Sequence, residues 1–143
     1  MHLTRESEYA LLGIAYLAEA RGDAPVSIAE IARMRELPAH FLSKIFQKLA
    51  RAGLVIGGRG RGRGYKLGRP PSEIRMREIL EAVEGEECMK GCFFWQGYCG
   101  DANPCPLHHR MRDLHEQIRE LMDEVTLAEY LEGADHVEVR PPV

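Results

Sequence analysis

Hydrophobic positions recur at helical spacing along most of this chain, with short β-prone runs between them. Thr4 is a good N-cap, and the stretch RESEYALLGIAYLAEA after it is rich in Ala and Leu, which predicts a first helix ending near Gly22. Ser27-Ile-Ala-Glu30 has the form of a capping box, in which the Ser and Glu side chains each take a free backbone N–H; it predicts a short helix over 28–35. Pro38 fits the first turn of a third helix, where its missing N–H costs nothing. There Phe41, Leu42, Ile45, Phe46 and Leu49 form a stripe expected to be buried, and Gly53 is placed to end the helix.

Two short helices joined by a tight turn, the second of them basic, make a helix-turn-helix. Turned away from the apolar stripe are His40, Ser43, Lys44 and Gln47. On that face Gln47 or His40 can meet base edges, and Lys44 or Lys48 a phosphate. Next come Leu54-Val55-Ile56, the run GGRGRGRG, and Tyr65-Lys66-Leu67, which predict two short strands around a Gly-rich tip, the wing of a winged helix. Arg59, Arg61 and Arg63 alternate with the glycines and suit a narrow minor groove.

Beyond Gly68-Arg69-Pro70-Pro71, the apolar positions Ile74, Met76, Ile79, Leu80 and Val83 predict a short strand and one helix ending at Gly85. Further on, Leu107, Met111, Leu114, Ile118, Leu121 and Val125 are spaced as a heptad seam with charged residues around it. A seam this narrow wants a partner helix, which predicts a homodimer matched to palindromic double-stranded DNA. Thr126-Leu-Ala-Glu129 is a second capping box and marks a helical restart. The expected fold is mainly α with a small β-hairpin. Residues 1–70 form a winged helix-turn-helix DNA-binding domain, 71–87 a connecting strand and helix, 88–105 a cysteine-bearing loop, 106–132 a long dimerisation helix with its restart, and 133–143 a loosely ordered tail.

Charge sharpens the picture. The formal net charge is −3, yet residues 37–72 hold eight of the 19 Lys and Arg and none of the 22 Asp and Glu. A one-sign block inside an otherwise acidic chain is the footprint of a polyanion partner. No basic start followed by an apolar run marks a signal peptide, and no apolar stretch approaches the ~18 residues of a membrane span. The expectation is a cytoplasmic protein with no membrane partner, in which thiols stay reduced and clustered cysteines serve metal or redox chemistry.

All four cysteines fall in Cys88-x3-Cys92-x6-Cys99-x5-Cys105, followed by x2-His108. Gly91, Gly97, Gly100 and Pro104 let the backbone fold around something, and thiolates select zinc or iron–sulfur clusters. Structural zinc sites usually present close Cys-x2-Cys knuckles, and no pair here has that spacing. By chemistry alone an iron–sulfur cluster, a zinc ion and unmetallated redox thiols all stand as readings. Phe93, Phe94, Trp95 and Tyr98 are candidates to shield a bound group from water or to pad a dimer interface, and His109 is expected to be solvated.

The combined pattern resembles the IscR/NsrR-like winged-helix iron–sulfur transcriptional regulators. The shared features are Leu3-Thr4, EYAL in the first helix, SIAEIA, FLSKIFQKLARAGLV, the RGxGxGYxLGR wing, EILEAVEG, three spaced cysteines followed by His, and TLAEYL, together spanning residues 1 to about 132. The resemblance implies a dimer holding an iron–sulfur cluster, [2Fe–2S] or [4Fe–4S], whose state controls DNA binding. It carries the cluster cysteines onto Cys92, Cys99 and Cys105, and the histidine ligand onto His108. Glu8 takes the position of a carboxylate reaching across the dimer, Arg59 that of a minor-groove arginine, and Ser43 that of a site-discriminating residue. This chain departs from the pattern in a six-residue first gap where the family has five, and in the extra Cys88, which with Glu8 is an alternative fourth ligand. No arrangement of nucleophile and base, or of paired carboxylates, supports an enzyme. The competing classes are a zinc-stabilised regulator without cluster sensing and a small electron-transfer protein.

Overall fold

Side-chain caps start the helices where their residue types demand. In the computed structural model, which describes residues 3–20, 24–58 and 63–134, Thr4 Oγ1 accepts from the Glu6 backbone N–H at 3.2 Å and opens α1, Arg5–Glu19. Ser27 Oγ accepts from the Glu30 N–H at 3.1 Å and opens α2, Ile28–Arg35. The predicted reciprocal bond is replaced: the Glu30 carboxylate instead accepts from the Tyr16 hydroxyl at 2.8 Å, tying α2 to α1. Pro38 is the cap of α3, Ala39–Arg51, one position ahead of its expected place.

Helix α3 buries Leu42, Ile45, Phe46 and Leu49 against α1 and α2. Phe41 corrects the predicted stripe. It is 47% exposed and lies beside the His40 ring, centroids 4.1 Å apart, because position 41 sits at the flank of the arc defined by 42, 45, 46 and 49. Strands β1, Val55–Gly57, and β2, Tyr65–Leu67, pair antiparallel in the register Val55↔Leu67, Ile56↔Lys66 and Gly57↔Tyr65. Val26 bridges to the other edge of β2 by exchanging both backbone bonds with Tyr65, at 2.9 and 2.8 Å. The chain comes close there: a Cβ on Gly64 would stand 2.6 Å from the Val26 carbonyl oxygen, so only glycine fits.

The strand expected after the wing shrinks to a single bridge, Arg75↔Thr126. A 3-10 turn over Pro71–Glu73 immediately precedes it and α4, Met76–Glu84, immediately follows, leaving only Ile74 and Arg75 extended. Even so, that short segment clamps the end of the chain. Met76 N–H donates to Val125 O at 3.0 Å, Leu127 N–H to Ile74 O at 2.8 Å, and the Arg75 guanidinium to Glu124 O at 2.9 Å.

Helix α5, His108–Glu124, leaves the cysteine loop, crosses α4 and is pinned to it by Arg77, which bonds both Asp123 and Glu81. Here Thr126 and Glu129 do form the complete capping box, with Thr126 N–H to Glu129 Oε2 at 2.7 Å and Glu129 N–H to Thr126 Oγ1 at 3.2 Å. It opens α6, Leu127–Ala134. Leu127 is fully buried in one core with Ile14, Ile31, Phe46, Ile74 and Ile79, so the restart packs against the winged helix-turn-helix. Along α5 the predicted seam splits. Leu107, Leu114 and Leu121 are 43%, 50% and 50% exposed, a line with period seven about 20 Å long, while Met111, Ile118 and Val125 are half-buried. Among the described residues no helix is long and apolar enough to cross a membrane.

Candidate metal centre and nucleic-acid interface

The loop between α4 and α5 is built from small turns. Gly97, with φ of 77°, reverses the chain so that the Tyr98 and Cys99 backbone N–H groups both reach Trp95 O. Gly100 and Asn103 then exchange backbone bonds at 3.4 and 3.0 Å, closing a tight loop that returns Cys105 toward Cys99. His108 N–H donates to Cys105 O at 2.9 Å and begins α5.

These turns bring three thiols together. The Sγ atoms of Cys92, Cys99 and Cys105 all lie within 4.8 Å of one another, with Cys92 and Cys105 3.8 Å apart. His108 joins them: its Nδ1 is 3.2 Å from Cys99 Sγ, and its Nε2 is 3.0 Å from Asp101 Oδ1. The backbone N–H groups of Trp95 and Phe94 lower the Cys92 thiol below its ordinary value of 9.0. The Cys105 N–H, 3.4 Å from Cys99 Sγ, pulls Cys99 the same way, but burial and the neighbouring thiols outweigh it and push that thiol up. Three thiolates this close repel one another strongly unless a cation sits among them, so the donor set fits a thiophilic metal or an iron–sulfur cluster.

Cys88 lies outside the thiol group. It is buried, and that burial, with the charges of Glu81 and Glu84, pushes its thiol up and holds it protonated. Glu8 stands exposed on α1. Within one subunit the fold brings His108 and not Cys88 to the thiols, while Glu8 was expected to reach them from across a dimer. The aromatic side chains do not cover the site within one chain: Phe93, Phe94, Trp95 and Tyr98 are all exposed, so the expected shielding is absent from the single subunit. His109 is exposed, as expected. Beside the thiols lies a cavity of about 500 Å³ lined by Met89, Cys92, Cys99, His108, Met111 and His115 among others.

On α3, His40, Lys44 and Gln47 are exposed and Ser43 partly covered, sharing the face opposite the buried stripe. Lys48 is drawn elsewhere. Its ammonium pairs with the Glu6 carboxylate on α1 and donates to the Val83 carbonyl at 3.1 Å, so it links the reading helix to α1 and α4. Arg63 is exposed at the base of the wing tip, while Arg59 and Arg61 lie outside the described residues.

Three features escaped sequence reasoning. Asp101 orients His108, and a carboxylate seven residues before a candidate histidine was the available signal. His115 lines the metal-centre cavity, legible only as a second histidine seven residues after His108 on the same helical face. Glu84 Oε1 gathers the Thr4 N–H at 2.7 Å, the Thr4 hydroxyl at 2.7 Å and the Ser7 hydroxyl at 2.6 Å, joining the start of α1 to the end of α4. Nothing local in the sequence announces that joint.

Comparison with known proteins gives a consistent answer. The Rrf2 family model, described as an iron-dependent transcriptional regulator, matches residues 3–133. The HTH-type transcriptional regulator IscR of Yersinia pseudotuberculosis serotype O:1b is 33% identical over 139 residues, covering 97% of this chain and 84% of that protein. IscR of Aliivibrio salmonicida is 32% identical over 131 residues, covering 92% and 77%. Among solved structures, CymR, the global cysteine regulator of B. subtilis, superposes with a TM-score of 0.75 at 26% identity, covering 93% of this chain and 98% of that one. IscR of T. potens gives a TM-score of 0.73 at 25% identity, covering 99% and 94%.

Proposed function

The chain belongs to the Rrf2 family of transcriptional regulators, a DNA-binding role and not an enzymatic one, and from that membership we propose that it is a homodimeric sensor whose DNA affinity follows an iron–sulfur cluster. Cys92, Cys99, Cys105 and His108 are the ligands. The observation that carries this reading is the convergence of three thiols within 4.8 Å on a histidine that starts α5. When bound, the cluster supplies a one-electron couple that is open to oxidants and to nitric oxide.

This chain's own residues do the rest. Asp101 fixes the His108 ring, and the N–H groups of Trp95, Phe94 and Cys105 stabilise sulfur charge. The line of Leu107, Leu114 and Leu121 on the same helix meets a second copy and sets the spacing of two reading heads. His40, Ser43, Lys44 and Gln47 enter the major groove, and Arg59, Arg61 and Arg63 the minor groove. Double-stranded DNA with a palindromic operator is the partner.

A single zinc ion is the second reading, because three thiolates and one imidazole are also a structural zinc set. The 3.8 Å between Cys92 and Cys105 matches the edge of a tetrahedron with Zn–S bonds of about 2.3 Å.

Selecting bound duplexes from a randomised pool tests the sensing role, using anaerobically loaded and metal-free protein side by side. An enriched two-fold-symmetric sequence whose affinity changes on loading supports it. The same sequence bound equally by both forms removes it.

A further inference from the structure

We propose that His115 is a positioning residue of the metal centre, its Nε2–H donating a hydrogen bond to sulfur of the iron–sulfur group held by Cys92, Cys99 and Cys105. The inference rests on the cluster reading above.

The starting observation is an orphan. His115 is only 8% exposed, and its buried Nε2 has no hydrogen-bond partner among the described residues. Buried polar atoms are almost always paired, so an unpaired one next to a cavity needs an occupant of that cavity to satisfy it. His115 lines the same cavity as Cys92, Cys99 and His108.

Its position on α5 gives it reach. Seven residues separate His115 from His108, so the two imidazoles share one face of the helix, with Met111 between them. Helical side chains lean toward the N-terminus, which tips the His115 ring back over the turn nearer the thiols. The ring also packs on Phe93, centroids 5.4 Å apart, and Phe93 directly follows Cys92. One histidine therefore meets the thiol group at Cys99, and the other abuts the segment that carries Cys92.

Burial lowers the His115 pKa and keeps the ring neutral, with one N–H to place. The two carboxylates that also line the cavity, Asp101 and Glu116, are engaged with His108 and Arg119, which leaves the sulfur of the thiol group as the acceptor for this N–H. Hydrogen bonds to cluster sulfur stabilise the reduced, more negative state and raise its potential.

The test is an anaerobic redox titration of the dimer, reconstituted with iron and sulfide, for wild type, His115→Leu and His115→Gln. His115→Leu is expected to keep the cluster absorbance while its reduced-to-oxidised ratio at fixed poise falls about tenfold, roughly a 59 mV negative shift for one electron. His115→Gln, which keeps a donor, recovers most of that shift. In the wild-type reduced cluster, electron–nuclear double resonance with 15N-histidine is expected to show a weak nitrogen coupling beside the strong one of the ligand, absent from His115→Leu; this reading holds should a variant misfold. Equal potentials in wild type and His115→Leu, or no weak nitrogen, would leave His115 a core histidine and overturn the inference while the cluster reading stands. Loss of the cluster in both variants with helicity retained would make His115 a ligand and overturn it in the other direction. Failure of the wild type to take up a cluster overturns both readings together.

Discussion

Asp101 accepts from Nε2 of His108 across 3.0 Å, and that contact leaves Nδ1, 3.2 Å from Cys99 Sγ, as the nitrogen turned to the thiols. A carboxylate behind a ligating imidazole fixes its tautomer and raises its basicity. The His108 hydrogen bond in turn holds the Asp101 carboxyl below its ordinary value of 3.8. Asp101→Ala is therefore expected to weaken cluster retention by about tenfold, the lower end for such partners because Asp101 is solvent-exposed. Chelator-driven loss of the visible absorbance reads it; an unchanged loss rate would deny Asp101 any part in the centre.

Two lysines four residues apart on α3 are expected to behave oppositely. Lys44 is exposed on the reading face, so Lys44→Ala should weaken DNA binding and reduce the salt slope by about one per subunit, with the melting temperature unchanged. Lys48 is engaged with Glu6 and Val83 O. Because that pair is more than a third exposed, Lys48→Met should cost about 1 kcal/mol of stability or less, with the salt slope intact. Salt-dependent binding curves with thermal melts separate the two roles, and a matching loss of slope in both variants would contradict the assignment.

The exposed leucine line makes a prediction about assembly. Burying a leucine fully is worth about 1.5–3 kcal/mol, and a two-fold interface loses each side chain twice. Leu114→Lys with Leu121→Lys is expected to weaken dimerisation on the order of a thousandfold or more. Each protomer should stay folded, since both residues are half-exposed in it. Sedimentation velocity decides the matter. A dimer that survives both substitutions would place the interface elsewhere.

Acid should loosen the wing's anchorage at Glu78. Burial opposes its charge, but the Arg69 guanidinium at 2.7 Å and the Arg75 backbone N–H at 2.9 Å outweigh that and hold its pKa below the ordinary 4.5. A carboxyl whose folded pKa is depressed contributes stability that is fully present above the unfolded value and is lost as pH falls through the folded one. Stability should thus decline with acidification below about pH 4.5, less steeply in Glu78→Gln. Denaturant midpoints across that range measure it, and parallel curves for the two proteins would rule Glu78 out as a contributor.

Most of the fold was legible where the signal is local. Thr4, Ser27 and Thr126 cap helices within three residues of themselves, and Leu42, Ile45, Phe46 and Leu49 betray their burial by spacing. The cysteine set and His108 were legible as chemistry, and their convergence required only one loop to close. What escaped depends on distant partners. Lys48 looks like a phosphate contact until α1 and α4, 42 and 35 residues away, claim its ammonium. Cys88 looks like a ligand until the turn after α4 sets it apart from the other thiols and near Glu81 and Glu84. Phe41 shows that an apolar residue at the edge of a helical arc can face either way, and only its neighbours decide.

Three thiols and His108 are proposed to hold an iron–sulfur cluster in each subunit. An absorption spectrum with a native mass spectrum, both on protein purified without oxygen, tests it most directly. A brown dimer with an iron-and-sulfide mass increment on each subunit is the expected result. A colourless dimer carrying one zinc per subunit, unchanged after reconstitution with iron and sulfide, would contradict it.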